Sequence, residues 1–342
     1  MMQKLLRLSG KLGPLFALVL LIVVFSLWDL YQSYEYGKTL RFLSFSNFGN
    51  VIAQTSVVAI AAIGMTFIIV SAGIDLSVGS LIALSGVFAA YTALWTADTL
   101  PISVLIPLSI VIAIITGSVV GFINGFIITK GKLPPFIVTL GMLEIVRGTV
   151  YISTQGLTVS GLPSTFSWMG NSALRVPMPG TDPVVLPYSL LLLIPLAILA
   201  HFLLKYTVFG IQTYAIGSNE QTARLCGVNI DRMKIYVYMI GGFTAGLAGF
   251  LQASRLRTGQ PGTAVGMELD VIAAVVVGGG SLMGGEGTIL GSIIGAFIIQ
   301  LLRNGCNIMG IEAFVQRVFI GIIIIAAVYV DQLRRRSASR SA

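Results

Sequence analysis

The 342-residue sequence is 56% hydrophobic and only 10% charged, with a mean hydropathy of +0.93 and a net charge of +8. A soluble domain carries roughly 25% charged residues, so the composition excludes a soluble enzyme and indicates a polytopic membrane protein. One histidine (His201) and two cysteines (Cys226 and Cys306) leave no basis for a histidine metal site, a nucleophilic triad or a disulfide framework. No basic stripe interleaved with aromatics points to nucleic acid.

A spanning helix takes about 20 apolar residues. Hydropathy predicts ten spans, at roughly 14–31, 51–71, 76–94, 102–128, 136–153, 185–206, 235–252, 268–282, 288–303 and 314–331. The expected fold class is all-α, a single transmembrane domain over 1–342 with broken or re-entrant segments and a candidate internal repeat. The apolar run from Pro14 is followed by bulky residues, Trp28 to Tyr34, so it reads as a first span rather than a cleaved leader.

Between the second and third spans an apolar stretch is broken by Gly73-Ile-Asp75-Leu-Ser77-Val-Gly79. A carboxylate and two glycines are costly in lipid, and irregular backbone persists there only inside protein or beside a water-filled cavity. Gly73, Asp75, Ser77 and Gly79 are therefore pathway or gate candidates. Asp75 or Ser77 is equally suited to cap the helix that begins at Val78.

Lys130 and Lys132 mark a short loop after the fourth span. In the fifth, Glu144 and Arg147 sit three apart and share a helix face, the spacing of an intramembrane ion pair. From Gln155 to Pro183, four prolines and four glycines (Pro179 and Gly180 among them) block regular helix.

Residues 207–234 form a polar segment. Within it Glu220, Gln221, Thr222, Ala223, Arg224 and Leu225 fit a short helix, with Ser218 or Asn219 as N-cap and Gly227 as stop. Such a helix suits docking to a partner.

Further on, Val275-Val-Val-Gly278-Gly279-Gly280-Ser281 repeats the form of Ile68-Ile-Val-Ser-Ala-Gly73, an apolar helix end running into a glycine-bounded break. Paired broken helices in corresponding halves point to a transport site, so Gly278, Gly279, Gly280 and Ser281 join the pathway candidates. The glycines do not form G-x-x-x-x-G-K-[ST], so no phosphate loop is present.

Basic residues cluster before the first span (Lys4, Arg7, Lys11), after the fourth, after the sixth (Lys205, Arg224, Arg232, Lys234) and at the end (Arg334, Arg335, Arg336, Arg340). Ten spans place all four clusters on one side, which the positive-inside rule makes cytoplasmic.

Together, Gln54-Thr-Ser-Val, Ile63-Gly-Met-Thr66, the 73–80 break, Pro135-Phe-Ile-Val-Thr-Leu140, Tyr214-Ala-Ile-Gly217, Gly266-Met-Glu-Leu-Asp-Val-Ile-Ala273 and Gly278–Gly285 carry a family likeness. They resemble the permease subunits of bacterial ATP-binding-cassette importers for simple sugars, in the ribose/xylose/arabinose/galactoside branch. The resemblance spans about Asn47 to Asp331. It implies a non-enzymatic transport subunit of the bacterial inner membrane, with ATP and magnesium on a separate ATPase and no cofactor on this chain. It also implies a periplasmic or lipid-anchored sugar-binding protein and a second permease copy or paralogue. Residues 221–227 align with the E-A-A-x-x-x-G coupling motif, matching it only at Ala223 and Gly227. A stand-alone ion-coupled transporter or channel, using Asp75 or Glu144, is the alternative; an intramembrane enzyme lacks a nucleophile–base set.

The charge clusters predict both Met1 and Ala342 in the cytoplasm. A cysteine replacing Ser341, in a chain lacking Cys226 and Cys306, should react with an impermeant thiol reagent only from the cytoplasmic side. Labelling from outside would overturn this topology.

Overall fold

The computed structural model describes residues 2–339 except 38, 98, 179 and 180. The expectations that fall on Met1, Lys38, Pro179, Gly180, Arg340, Ser341 and Ala342 lie outside the described residues.

The ten predicted spans correspond to α1 (Met2–Tyr36), α2 (Phe45–Val70), α3 (Val78–Thr96), α4 (Ile102–Lys130), α5 (Pro135–Thr154), α7 (Leu190–Tyr206), α10 (Ile230–Leu256), α11 (Met267–Val277), α12 (Ile289–Ile308) and α13 (Ala313–Ser339). Among the described residues seven helices are individually long and apolar enough to cross a membrane. The other three are shorter in reach. α7 bends by 68° at Thr207 into α8 (Val208–Ser218), and the apolar part of α13 is Ala313–Tyr329. α11 has only 11 residues, about 16 Å at 1.5 Å per residue, half a membrane crossing.

The 155–183 segment holds a 3₁₀ turn at Ser164–Ser167, the short α6 (Trp168–Asn171) and a hairpin of β1 (Ala173–Met178) and β2 (Thr181–Pro187). The predicted sixth span thus starts at Leu190 rather than 185. Pro183 and Pro187 flank β-branched Val184 and Val185, a composition that favours an extended ribbon over a helix. Remaining elements are α9 (Glu220–Leu225) and the turn from α1 into α2. That turn is fastened by buried Asp29, whose carboxylate accepts the N–H groups of Arg41, Phe42 and Leu43 at 3.2, 2.9 and 3.2 Å.

α2 and α10 form the centre. α10 packs chiefly on α4, α3 and α2, and α2 also carries α11 and α12. Lipid tails are as apolar as the helices, so association rests on close van der Waals packing and needs small residues at the contacts. Gly117, Gly121 and Gly125 recur every fourth residue on α4, and α10 answers with Gly242 and Gly246. A methyl group at Gly117 would strike the Gly242 carbonyl oxygen, and one at Gly121 that of Tyr238.

This contact predicts that Gly121→Leu forces α4 off α10. Overpacking costs roughly 1–3 kcal/mol. Thermal unfolding in detergent should show a clearly lowered Tm, whereas Gly141→Ala, whose added methyl meets nothing within 4 Å, should leave it unchanged.

Candidate functional site

Both helix breaks close in the same way. At the end of α2, Ala72 takes a left-handed φ of 60°, Ala72 N–H returns to Ile69 O (2.9 Å) and Gly73 N–H to Ile68 O (2.9 Å). At the end of α11, Gly279 is left-handed at 94°, Gly279 N–H returns to Val276 O (2.9 Å) and Gly280 N–H to Val275 O (2.8 Å). This double closure satisfies carbonyls that lipid could not. The register is that of the sequence repeat, 68–73 on 275–280.

The first break is then tied down on three sides. Asp75 is 2% exposed. Its Oδ1 accepts Ser77 N–H at 2.8 Å and the Ser77 hydroxyl. Asn124 of α4 donates to Ser77 Oγ (3.0 Å), while Thr139 of α5 and Tyr238 of α10 both donate to Ile74 O at 3.2 Å. Asp75 thus makes a local turn over 75–77 rather than capping the helix at Val78, and Ser77 itself makes no side-chain cap bond. A side chain at Gly79 would meet the Glu268 carboxylate and the Ala264 carbonyl oxygen.

The two breaks meet. Gly285 N–H donates to Val70 O at 2.9 Å. A methyl at Gly284 would press on Ala72, and one at Gly278 would strike the Gly291 carbonyl oxygen on α12. Ser281 is buried, and its backbone N–H donates to Glu286 O at 3.1 Å. α8 is keyed into this junction. Tyr214 donates its hydroxyl to Gly287 O at 2.6 Å, and Gly217 lies so close to Val70 O and Gly285 N that no side chain fits.

α9 follows α8 directly. Asn219 Oδ1 caps it by accepting Thr222 N–H at 2.9 Å. Gly227, at φ 84°, ends it, with Gly227 N–H on Arg224 O and Val228 N–H on Ala223 O. Glu220 is held by Lys234 (2.7 Å) and Arg224 (3.7 Å), which fixes α9 against α10. Ala223 is 4% exposed and packs with Ile216, Ile230 and Met233. It faces inward, contrary to its expected place on a docking face; the outward positions are Gln221, Thr222, Arg224 and Leu225, the last 88% exposed.

Glu144 and Arg147 share a helix but form no ion pair within 4 Å among the described residues. Arg147 Nη1 instead donates to Pro261 O (2.8 Å) and Thr263 O (2.9 Å), anchoring the loop that precedes α11. Carbonyls of an irregular loop offered the guanidinium better geometry than a carboxylate on its own helix. Glu144 is left exposed at mid-helix, between the open positions Gly141 and Gly148.

Outside every predicted site lies a polar cavity of about 350 Å³ between α2, α10, α11, α12 and α13. Gln54, Gln252, Arg255, Gln300, Arg317 and the Asp270–Arg303 pair line it, and none of the eight pathway candidates does. Arg303 Nη2 lies 2.8 Å from both Asp270 oxygens. The sequence signal was available, as isolated polar residues within apolar helices.

The family model of the branched-chain amino acid transport system / permease component matches residues 47–328. The chain is 40% identical over 283 residues to the ribose import permease protein of Haemophilus influenzae, covering 82% of this chain and 84% of that one. It is 39% identical over 291 residues to the Escherichia coli K12 ribose import permease protein, covering 84% and 85%. To the xylose transport system permease protein of the same strain it is 34% identical over 339 residues, again covering 84% and 85%. No solved structure matches.

The Asp75 geometry yields a prediction for the break. Asp75→Ala removes the acceptor of Ser77 N–H, a loss of about 1 kcal/mol by analogy with helix caps. The protein should insert and purify normally while uptake falls several-fold, with Asp75→Asn retaining more activity. Wild-type uptake in Asp75→Ala would show that the locked turn is dispensable.

Proposed function

Because the chain belongs to this permease-component family, we propose that it is the membrane subunit of an ATP-driven importer for a monosaccharide of the ribose type. The chain does no chemistry; ATP and magnesium bind a separate ATPase subunit. The observation that carries the reading is the unbroken connection from the cytoplasmic α9, through α8, to the junction of the two helix breaks. A push on α9 reaches backbone that closes the membrane interior, because Gly217 and Tyr214 leave no slack between them.

The ATPase docks on the outward side of α9, with Leu225 as its apolar anchor and Arg224 and Gln221 around it. The sugar-binding protein meets the opposite face, over the hairpin with its exposed Leu174 and Leu186. The second permease copy lies across the α5 face that carries Glu144, since an exposed mid-helix carboxylate is tolerated beside a water-filled path and not against lipid. Both termini are cytoplasmic in this arrangement. The ion-coupled alternative lacks support: the relatives are named as import and transport-system permeases, and the Asp75 carboxylate is spent on Ser77.

The docking geometry separates two substitutions. Leu225→Glu places a charge in the contact, where burial without a partner costs several kcal/mol. It should leave protein level normal and abolish co-purification of the ATPase and ATP-dependent ribose uptake. Ala223→Glu breaks the inward cluster and should lower the amount of folded protein. The docking proposal fails if Leu225→Glu still holds the ATPase at wild-type stoichiometry, and the importer reading fails if the chain alone accumulates ribose on an ion gradient.

A further inference from the structure

The polar cavity has hydrogen-bonding capacity that the protein does not use. Among the described residues the amides of Gln54 and Gln300 and the guanidinium of Arg255 make no side-chain hydrogen bond or ion pair, and Arg303 Nε is buried without a partner. Gln300 is 7% and Asp270 6% exposed while Gln54 and Arg255 are half-buried, so Gln300 and Arg303 Nε are the groups most withdrawn from bulk water. Leaving buried donors and acceptors unpaired costs roughly 1–3 kcal/mol each, so a partner belongs there.

The mixture of groups selects the partner. Arg255, Arg303 and Arg317 outnumber the Asp270 carboxylate, so charge alone would admit an anion, but an anion brings no donors for the acceptor oxygens of Gln54, Gln300 and Asp270. An apolar ligand needs neither kind. A neutral polyhydroxylated molecule needs both, because each hydroxyl donates and accepts. Two glutamine amides supply both kinds, the Asp270–Arg303 pair supplies acceptor beside donor, and Arg255 adds donors. The volume, about 350 Å³, sits at the small end of ligand pockets, which run from roughly 300 to 1,000 Å³.

Access is also built. A second cavity of about 300 Å³ lies under the hairpin, lined by Asn50, Asn171 and Ser172, and it shares Gln54 and Arg255 with the first. The two cavities adjoin at those residues, the second lying between the first and the hairpin residues Ala173, Val185 and Pro187. We infer that the first cavity is a binding station for a neutral polyol of monosaccharide size, contained within a single chain. It rests on the importer reading and deepens it by naming residues that hold the solute in transit.

The test is sugar protection of cysteines in the full chain, expressed with its ATPase and binding protein. Gln54→Cys and Gln300→Cys are made separately in a Cys226→Ser, Cys306→Ser background, each kept only if uptake is measurable. An impermeant thiol reagent is applied from outside with ribose, xylose or ribose 5-phosphate. Nine-tenths occupancy by ribose should slow labelling about ten-fold at both sites, following simple mass action. A cysteine replacing Tyr34, 90% exposed at the end of α1, should label at an unchanged rate. Unchanged labelling at 54 and 300 while chain-dependent ribose uptake proceeds would overturn the station and leave the importer reading standing. Protection by ribose 5-phosphate and not by ribose would also overturn it, as an anion site. Absence of chain-dependent uptake of either sugar would remove the importer reading itself. Independently, Gln300→Leu should raise the uptake KM about ten-fold with ATPase co-purification intact, and Gln300→Asn should recover part of the loss.

Discussion

The fold depends on how two helices end inside the membrane. Backbone polar groups in lipid must find partners within the protein. α2, long enough to span, and α11, only half as long, both turn back on their own carbonyls, and their breaks meet through Gly285 N–H and Val70 O. The left-handed turns and close approaches explain why Gly73, Gly279, Gly284 and Gly285 cluster there. They also explain why α8 reaches the junction through a glycine, Gly217, and a single hydroxyl, Tyr214. Everything else in the chain positions this junction. α4 and α10 interlock through glycines around it, and Asn124, Thr139 and Tyr238 clamp the first break from three helices.

The same arrangement gives a route for work. α9 is a capped, charge-fixed surface helix joined to α8 across Asn219. α8 departs from α7 at a sharp bend, packs its first turn on the core through Phe209 against Phe67, and is keyed into the breaks at its other end. A rigid lever of this kind converts displacement of a surface helix into displacement of membrane-buried backbone. Two-state rearrangement of packed elements, rather than continuous flexing, is what close packing permits.

Local patterns were legible in the sequence. The likeness between 68–73 and 275–280 was read from glycine placement and apolar run length; both helices end in the same double closure, one that α5, α9, α10 and α12 also use. Asn219 and Gly227 bounded α9 because capping chemistry is local. Long apolar helices were equally plain. What escaped the sequence depended on neighbours distant along the chain. Arg147 had two loop carbonyls from residues 261 and 263 to choose from, which no helix-face argument reveals. Ala223 turned inward because Ile216, Ile230 and Met233 offered it a socket. The cavity glutamines were overlooked because each stands alone in its helix, and only the fold brings 54, 252 and 300 together. The 4-residue spacing of Gly117, Gly121 and Gly125 was a readable signal for the α4–α10 contact.

The central claim is that α8 transmits the ATPase stroke to the junction of the breaks. Its most direct test is the ratio of sugar imported to ATP hydrolysed by the reconstituted complex carrying Tyr214→Phe. That substitution deletes one hydroxyl and its bond to Gly287 O while keeping the ring in place. The account predicts normal ATPase association and continued hydrolysis with a ratio several-fold below wild type. An unchanged ratio, with wild-type rates of both hydrolysis and uptake, would contradict it.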